Sequence, residues 1–219
     1  MNILYEDNHI LVIEKPINIP VQADASQDLD VLTMVKNYIK EKYKKPGNVY
    51  IGLVHRLDRP VGGLMVFART SKAAERLSKQ IQNRTFQKTY YAVVQGQIVE
   101  PNGTWKDLIK KDIRKNTSYI SSEGKEAILQ YHVLAFEKGL SLVEIELETG
   151  RSHQIRVQFS SRNHPLYGDQ RYNKGARPGE QIALFAGKLA FIHPVTKQKL
   201  TFSLPFPKRK PYSFFSCIK

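Results

Sequence analysis

Apolar residues recur along the chain in short runs bounded by Gly, Pro or charged positions, at residues 10–13, 50–54, 64–68 and 90–94. Runs of this length, rich in Val, Ile and aromatic residues, predict strands. Between the first two, Leu29, Leu32, Val35, Ile39 and Tyr43 are spaced by three or four positions, with Lys36, Lys40, Lys42 and Lys44 among them. That spacing predicts an amphipathic helix with a cationic outer face. A second helix is predicted from Ser71, read as its N-cap, with Ala74, Leu77 and Ile81 turned inward and Lys72, Arg76 and Lys79 outward. Val143, Ile145 and Leu147 alternate with Glu144, Glu146 and Glu148, the pattern of a half-buried strand. This strand runs into Thr149-Gly150, after which Ser152 to Arg156 can begin a helix, with Gly making the turn and Ser the cap. Residues 182–192 and 200–204 predict further strands, and residues 205–219 form an irregular, Pro-containing basic tail. Many strands, few helices, and connections too short for crossover helices predict an α+β fold with a mixed, largely antiparallel central sheet flanked by helices.

Charge changes this picture of an ordinary globular chain. The 34 Lys and Arg against 20 Asp and Glu leave a net +14 on 219 residues, a surplus that attracts polyanions and makes nucleic acid the leading partner class. The single cysteine, Cys217, excludes an intrachain disulfide and a cysteine-based zinc cluster. No run of about 18 apolar residues occurs, so no membrane partner is expected and the chain reads as cytoplasmic. Phosphate-binding and dinucleotide-binding glycine loops, the zinc-protease H-E-x-x-H and the hydrolase G-x-S-x-G are all missing. Nucleotide hydrolysis and hydride transfer lose support. None of the six histidines pairs at helical i,i+4 spacing, so no metal and no cofactor is assigned.

The segment Val54-His55-Arg56-Leu57-Asp58-Arg59-Pro60-Val61-Gly62-Gly63-Leu64 places one carboxylate between two arginines, where a strand ends and a Pro and two glycines follow. By itself this reads first as a surface Asp ion-paired to Arg56 or Arg59. Its neighbours change the reading. Leu11-Val12-Ile13-Glu14-Lys15-Pro16, then His55-Arg56-Leu57-Asp58-Arg59, then Lys88-Thr89-Tyr90-Tyr91-Ala92-Val93-Val94-Gln95-Gly96, then Gly150-Arg151-Ser152-His153-Gln154-Ile155-Arg156-Val157, then His164-Pro165-Leu166-Tyr167-Gly168-Asp169 follow one another in an order that resembles the RluA-type pseudouridine synthases. Those enzymes isomerise uridine in ribosomal or transfer RNA. Leu189 to Pro194 resembles the last signature.

The resemblance implies Asp58 as catalytic aspartate, Tyr90 as active-site tyrosine and Arg156 as the aspartate's arginine partner. It sets His55, Arg56, Arg59, Arg151, His153, Gln154 and Leu184 at the substrate. It also implies a cofactor-free, metal-free reaction on RNA, with residues 1–204 as one catalytic domain, no separate N-terminal RNA-binding domain, and a monomer as the default state. The chemistry suits those residue types: a carboxylate can serve as nucleophile or base, an arginine can hold it ionised, and a tyrosine ring can stack on uracil. Arg56 is a candidate wedge or phosphate clamp, and equally an exposed cation. Departures from the family pattern fall at Val61-Gly62, Ser152, Gln158 and Phe185. Two other classes compete. A non-catalytic RNA-binding or ribosome-assembly protein would need only the charge, and a nucleoside hydrolase or glycosidase would want a second carboxylate, for which Asp58 shows no partner in the sequence.

Overall fold

The structure, a computed structural model, describes residues 1–218. The chain begins with β1 (Asn2–Glu6), β2 (Ile10–Lys15), α1 (Val31–Lys42), β3 (Gly52–Leu53), β4 (Gly62–Ala68) and α2 (Ser71–Gln82). It continues with β5 (Gln87–Gln95), β6 (Asn102–Asp112), β7 (Thr117–Ile120), β8 (Lys125–Glu137), β9 (Leu140–Leu147) and the short α3 (Gln154–Ser160). After β10 (Leu184–Ile192) and β11 (Lys199–Ser203) come two 3-10 turns, Tyr212–Phe214 and Ser216–Ile218. The class is α+β, as the pattern predicts. Two compact units are formed, one from Met1–Phe86 with Lys188–Leu204, the other from Gln87–Gly187 with the segment from Pro205 onward.

In the first unit β2 pairs antiparallel with both β1 and β4, with Ile10 opposite Ala68. The two-residue β3 also pairs with β4, and β11 with the second half of β10. β4 carries no polar side chain and is buried along its whole length. Its Leu64 and Val66 pack with Ile10, Val12, Ala73, Leu77, Phe86 and Phe191, and the Phe86 and Phe191 rings stack 5.2 Å apart. The helices differ from expectation at their ends. Asp30 caps α1 by accepting from the Thr33 N–H at 3.0 Å. That leaves Leu29 outside and exposed, and makes Val31, Val35 and Ile39 the buried face. In α2 the cap is Thr70, one residue before the predicted Ser71, and its hydroxyl accepts from Ala73 N.

The second unit is an antiparallel series in the order β5, β9, β8, β6, β7. β6, β7 and β8 escape the apolar-run search because they alternate, with Lys, Glu, Gln and Thr at many of the outward positions. Trp105 of β6, Tyr131 of β8 and Phe159 of α3 form an aromatic cluster, Trp105 lying 4.5 and 4.6 Å from the other two rings. The tail is less irregular than its composition implies: Tyr212 and Phe215 are fully buried, and the Tyr212 hydroxyl donates to the Tyr91 carbonyl at 3.1 Å.

Candidate active site

Asp58 lies, partly exposed, on the irregular stretch between β3 and β4. Pro60 biases this stretch toward a turn, and the Val61 N–H closes it on the Asp58 carbonyl at 2.9 Å. Leu57 and Val61, both buried, clamp the turn from either side. Beneath it the Lys15 side chain, only 1% exposed, donates to the carbonyls of Pro16, Arg59 and Val61 at 2.8, 3.0 and 2.7 Å. Burial pushes the Lys15 pKa down to about 8, the Asp58 carboxylate pulls it back up, and Arg59 lowers it further. The Lys-Pro turn of β2 is thus the clasp of the Asp58 loop. We expect Lys15→Met to leave three carbonyls without their donor, that of Val61 buried and those of Pro16 and Arg59 part-buried, and to lower stability by roughly 2 kcal/mol, read as a shift in the urea midpoint. An unchanged midpoint would show the clasp to be dispensable.

The departure at Val61-Gly62 has a local explanation. A Cβ on Gly62 would stand 2.9 Å from Cγ2 of Ile17 and 3.2 Å from the Lys15 carbonyl, so glycine at 62 answers the branched Ile17. Arg59 turns to the neighbouring 18–28 loop, where it pairs with Asp28, donates to Ser26 Oγ at 3.0 Å and to the Asn18 carbonyl at 3.2 Å. His55 accepts the Val66 N–H at its Nε2, 3.1 Å away, with its ring beside Phe86. Arg56 is exposed.

In the second unit β5 carries Tyr90, which is buried opposite Ile145 of β9. The turn after β9 is built around Gln154. Its Oε1 accepts from Thr149 Oγ1 at 2.8 Å and from the Arg151 N–H at 3.0 Å, while its Nε2 donates to the Ile128 carbonyl at 3.1 Å. The helix therefore begins at Gln154 rather than at a Ser152 cap, and the residue before it, His153, has a positive φ of 55° with no side-chain cap. Gln154, which the resemblance sets at the substrate, spends its amide inside the fold. Arg151 reaches the Glu126 carbonyl at 2.7 Å. The Tyr172 hydroxyl accepts from the Ser118 N–H at 2.7 Å and lies 2.7 Å from His153 Nδ1. Leu184 is buried at the start of β10.

Arg156, 6% exposed, is held by a partner that motif reading leaves out. Its Nε and Nη2 donate to the two oxygens of Asp169 at 2.8 and 2.7 Å, and its guanidinium sits 5.0 Å from the Tyr172 ring centre. Asp169 is 1% exposed and also accepts from the Arg171 and Tyr172 N–H groups. Gly168 makes this possible, since its φ is 69° and a Cβ would stand 2.4 Å from the Gln181 carbonyl. The sequence signal for this pair is Gly168-Asp169, at the end of the segment His164-Pro165-Leu166-Tyr167-Gly168-Asp169. Gln158, where the family pattern has His, is fully buried and donates to Asp107 at 2.7 Å.

Among the described residues no group of three or more His, Cys, Asp or Glu is disposed to hold a metal ion, and no helix is long and apolar enough to cross a membrane. A family model described as RNA pseudouridylate synthase matches residues 9–161. The chain is 36% identical over 211 residues to an uncharacterised RNA pseudouridine synthase, YhcT, of Bacillus subtilis (strain 168), covering 94% of this chain and 69% of the relative. It is 35% identical over 222 residues to ribosomal large subunit pseudouridine synthase D of Vibrio cholerae serotype O1, covering 94% and 68%. The solved structure of human RNA pseudouridylate synthase domain containing 4 shares the fold, with a TM-score of 0.78 at 23% identity over 94% of this chain and 89% of that one. Motif order, fold and relatives converge, and the chain belongs to the RNA pseudouridylate synthase family, enzymes that isomerise uridine within RNA.

Proposed function

We propose that this enzyme converts uridine to pseudouridine in ribosomal RNA, with Asp58 as the nucleophilic carboxylate. The reaction breaks the bond from ribose C1′ to uracil N1, turns the ring, joins C1′ to C5 and moves the C5 proton to solvent while N1 regains one. Atoms balance, and no electron or phosphate changes hands. The observation that carries the assignment is the build of the Asp58 turn: its backbone is tied by Lys15 and Val61, while the carboxylate end of the loop stays partly exposed. A fixed backbone under a partly exposed aspartate suits nucleophilic attack. Tyr90 supplies a ring for the uracil, and Arg156 is the cationic partner that the family resemblance gives the aspartate.

A stacked uridine hides its glycosidic bond, so the target must leave the helix, at a cost of a few kcal/mol. Arg56, exposed two residues before Asp58, is suited to fill the gap or hold a phosphate, and the +14 charge to bind the backbone. Ribosomal rather than transfer RNA is favoured by the Vibrio relative, whose name specifies the large ribosomal subunit. With such a substrate we expect the enzyme to work in the cytoplasm. The test incubates the protein separately with large-subunit ribosomal RNA and with a transfer RNA pool, then separates the digested nucleosides by chromatography. Pseudouridine is expected from the ribosomal RNA. Its appearance only in transfer RNA would overturn the substrate, and free uracil would overturn the reaction.

A further inference from the structure

The protein buries two lysines whose circumstances differ. Lys15 gives its ammonium to three carbonyls of the Asp58 loop. Lys88, the second residue of β5, is 7% exposed, and no hydrogen bond or ion pair to any described residue reaches its Nζ. Burial alone pushes its pKa down to about 8, with no neighbouring carboxylate to oppose the shift. Strand geometry explains why none is near. Residues alternate between the two faces of a strand, and on β9 the acids Glu146 and Glu144 stand opposite Thr89 and Tyr91, on the face away from Lys88. Tyr90 shares the Lys88 face, about 7 Å along the strand.

The amine is directed to a place with room. It lies 3.6 Å from where a Cβ on Gly150 would be, and apart from it nothing but Gly150's own chain neighbours lies within 4 Å of that point. Gly150 is exposed. Its φ lies outside the left-handed region, so glycine is not demanded there by backbone conformation; what it does is leave the space beside Nζ open. A cation whose stem is buried, whose charge none of the described residues answers, and whose tip meets an opening is costly in the RNA-free protein. That cost is recovered when an anion arrives.

We propose that Lys88 is a substrate-binding residue whose ammonium, beside Gly150, takes an anionic oxygen of the target nucleotide. The inference rests on the RNA-isomerase reading above and adds a residue to it. Two oxygens of a nucleotide answer that chemistry. One belongs to the phosphodiester, charged throughout. The other is a uracil carbonyl, which gains charge as the bond to ribose breaks and the ring departs with the bonding pair, and which a pre-placed cation would stabilise.

Lys88→Met keeps the stem's length and its packing and removes only the charge. Three measurements are made on the variant and the wild type: the dissociation constant for an RNA substrate across a salt series, the single-turnover rate of pseudouridine formation at saturating RNA, and the thermal midpoint without RNA. A phosphodiester contact predicts about tenfold weaker binding and a log Kd against log salt slope reduced by about 0.7, with the rate within about threefold. A uracil contact predicts unchanged binding and a rate lower by about 10²–10³-fold. Either result, with the thermal midpoint equal to or above that of the wild type, supports the proposal. Wild-type binding together with a wild-type rate would overturn it. A midpoint lowered by several degrees would also overturn it, because Lys88 would then be an anchor of the fold. If the wild type itself makes no pseudouridine, the RNA-isomerase reading fails instead, and the binding series still reports on Lys88.

Discussion

Asp58→Asn is expected to yield no detectable pseudouridine, even in long incubations with substrate RNA. The change preserves size and planarity and removes the negative charge and nucleophilicity, through which attack on either the sugar or the ring would pass. The fold should tolerate it, because the loop is held by its backbone: Lys15 grips the Arg59 and Val61 carbonyls, and the Val61 N–H grips that of Asp58. None of these bonds uses the Asp58 side chain. RNA affinity should hold or rise slightly, since an anion facing phosphate is gone while the basic surface remains. Chromatography of digested RNA and a binding isotherm on the same preparation check both halves. Substantial product from the purified variant would end the assignment of Asp58 as nucleophile.

The second large effect is expected at Asp169, a residue that never meets the substrate in this scheme. Replacing it by Asn leaves the Arg156 guanidinium buried against an amide whose N–H₂ faces donors, and it weakens the acceptor for the Arg171 and Tyr172 N–H groups. Removing one partner of a buried ion pair costs about 3–5 kcal/mol, measurable as a drop in unfolding free energy by urea titration. Turnover should fall with it, because Arg156 loses the fork-to-fork bond that sets its orientation. A loss under about 1 kcal/mol, within the range of surface ion pairs, would show that the pair contributes little to the fold.

What the chain discloses in advance depends on how it is written. β2, β4 and β5 each contain an uninterrupted apolar run, at residues 10–13, 64–68 and 90–94, because both of their faces are largely buried, and such runs are visible without a partner. β6 and β8 bury one face only, and their lysines and glutamates read as solvated surface until the register aligns Trp105 with Leu129. The helix ends slip by a residue or two because Asp30 and Thr70 compete with neighbours of equal capping strength. At the site, residue types announce chemistry but not allegiance. Asp58 and Arg156 stand out by motif. The Arg156 motif, however, includes Gln154, whose amide the fold consumes, and the His164–Asp169 motif gives Asp169 no role, though Asp169 determines how Arg156 lies. Charge spacing cannot reveal a pairing across thirteen residues and a glycine turn.

The way the chain is shared between its two units has a consequence for biogenesis. Each unit is assembled from a long early segment and a short late one: residues 1–86 are completed by Lys188–Leu204, and residues 87–187 by the segment from Pro205 onward. Synthesis proceeds from the N-terminus, and domains fold on the ribosome as their residues emerge. Here the first unit waits for β11 at Lys199–Ser203, and the second for Tyr212 and Phe215, which are made after it, so the first core can close before the second. β2 and β4, largely buried on both faces, stay incompletely covered until Leu189 and Phe191 of the same core emerge, more than 100 residues after β4, so the earliest strands of this unit wait on one of its last.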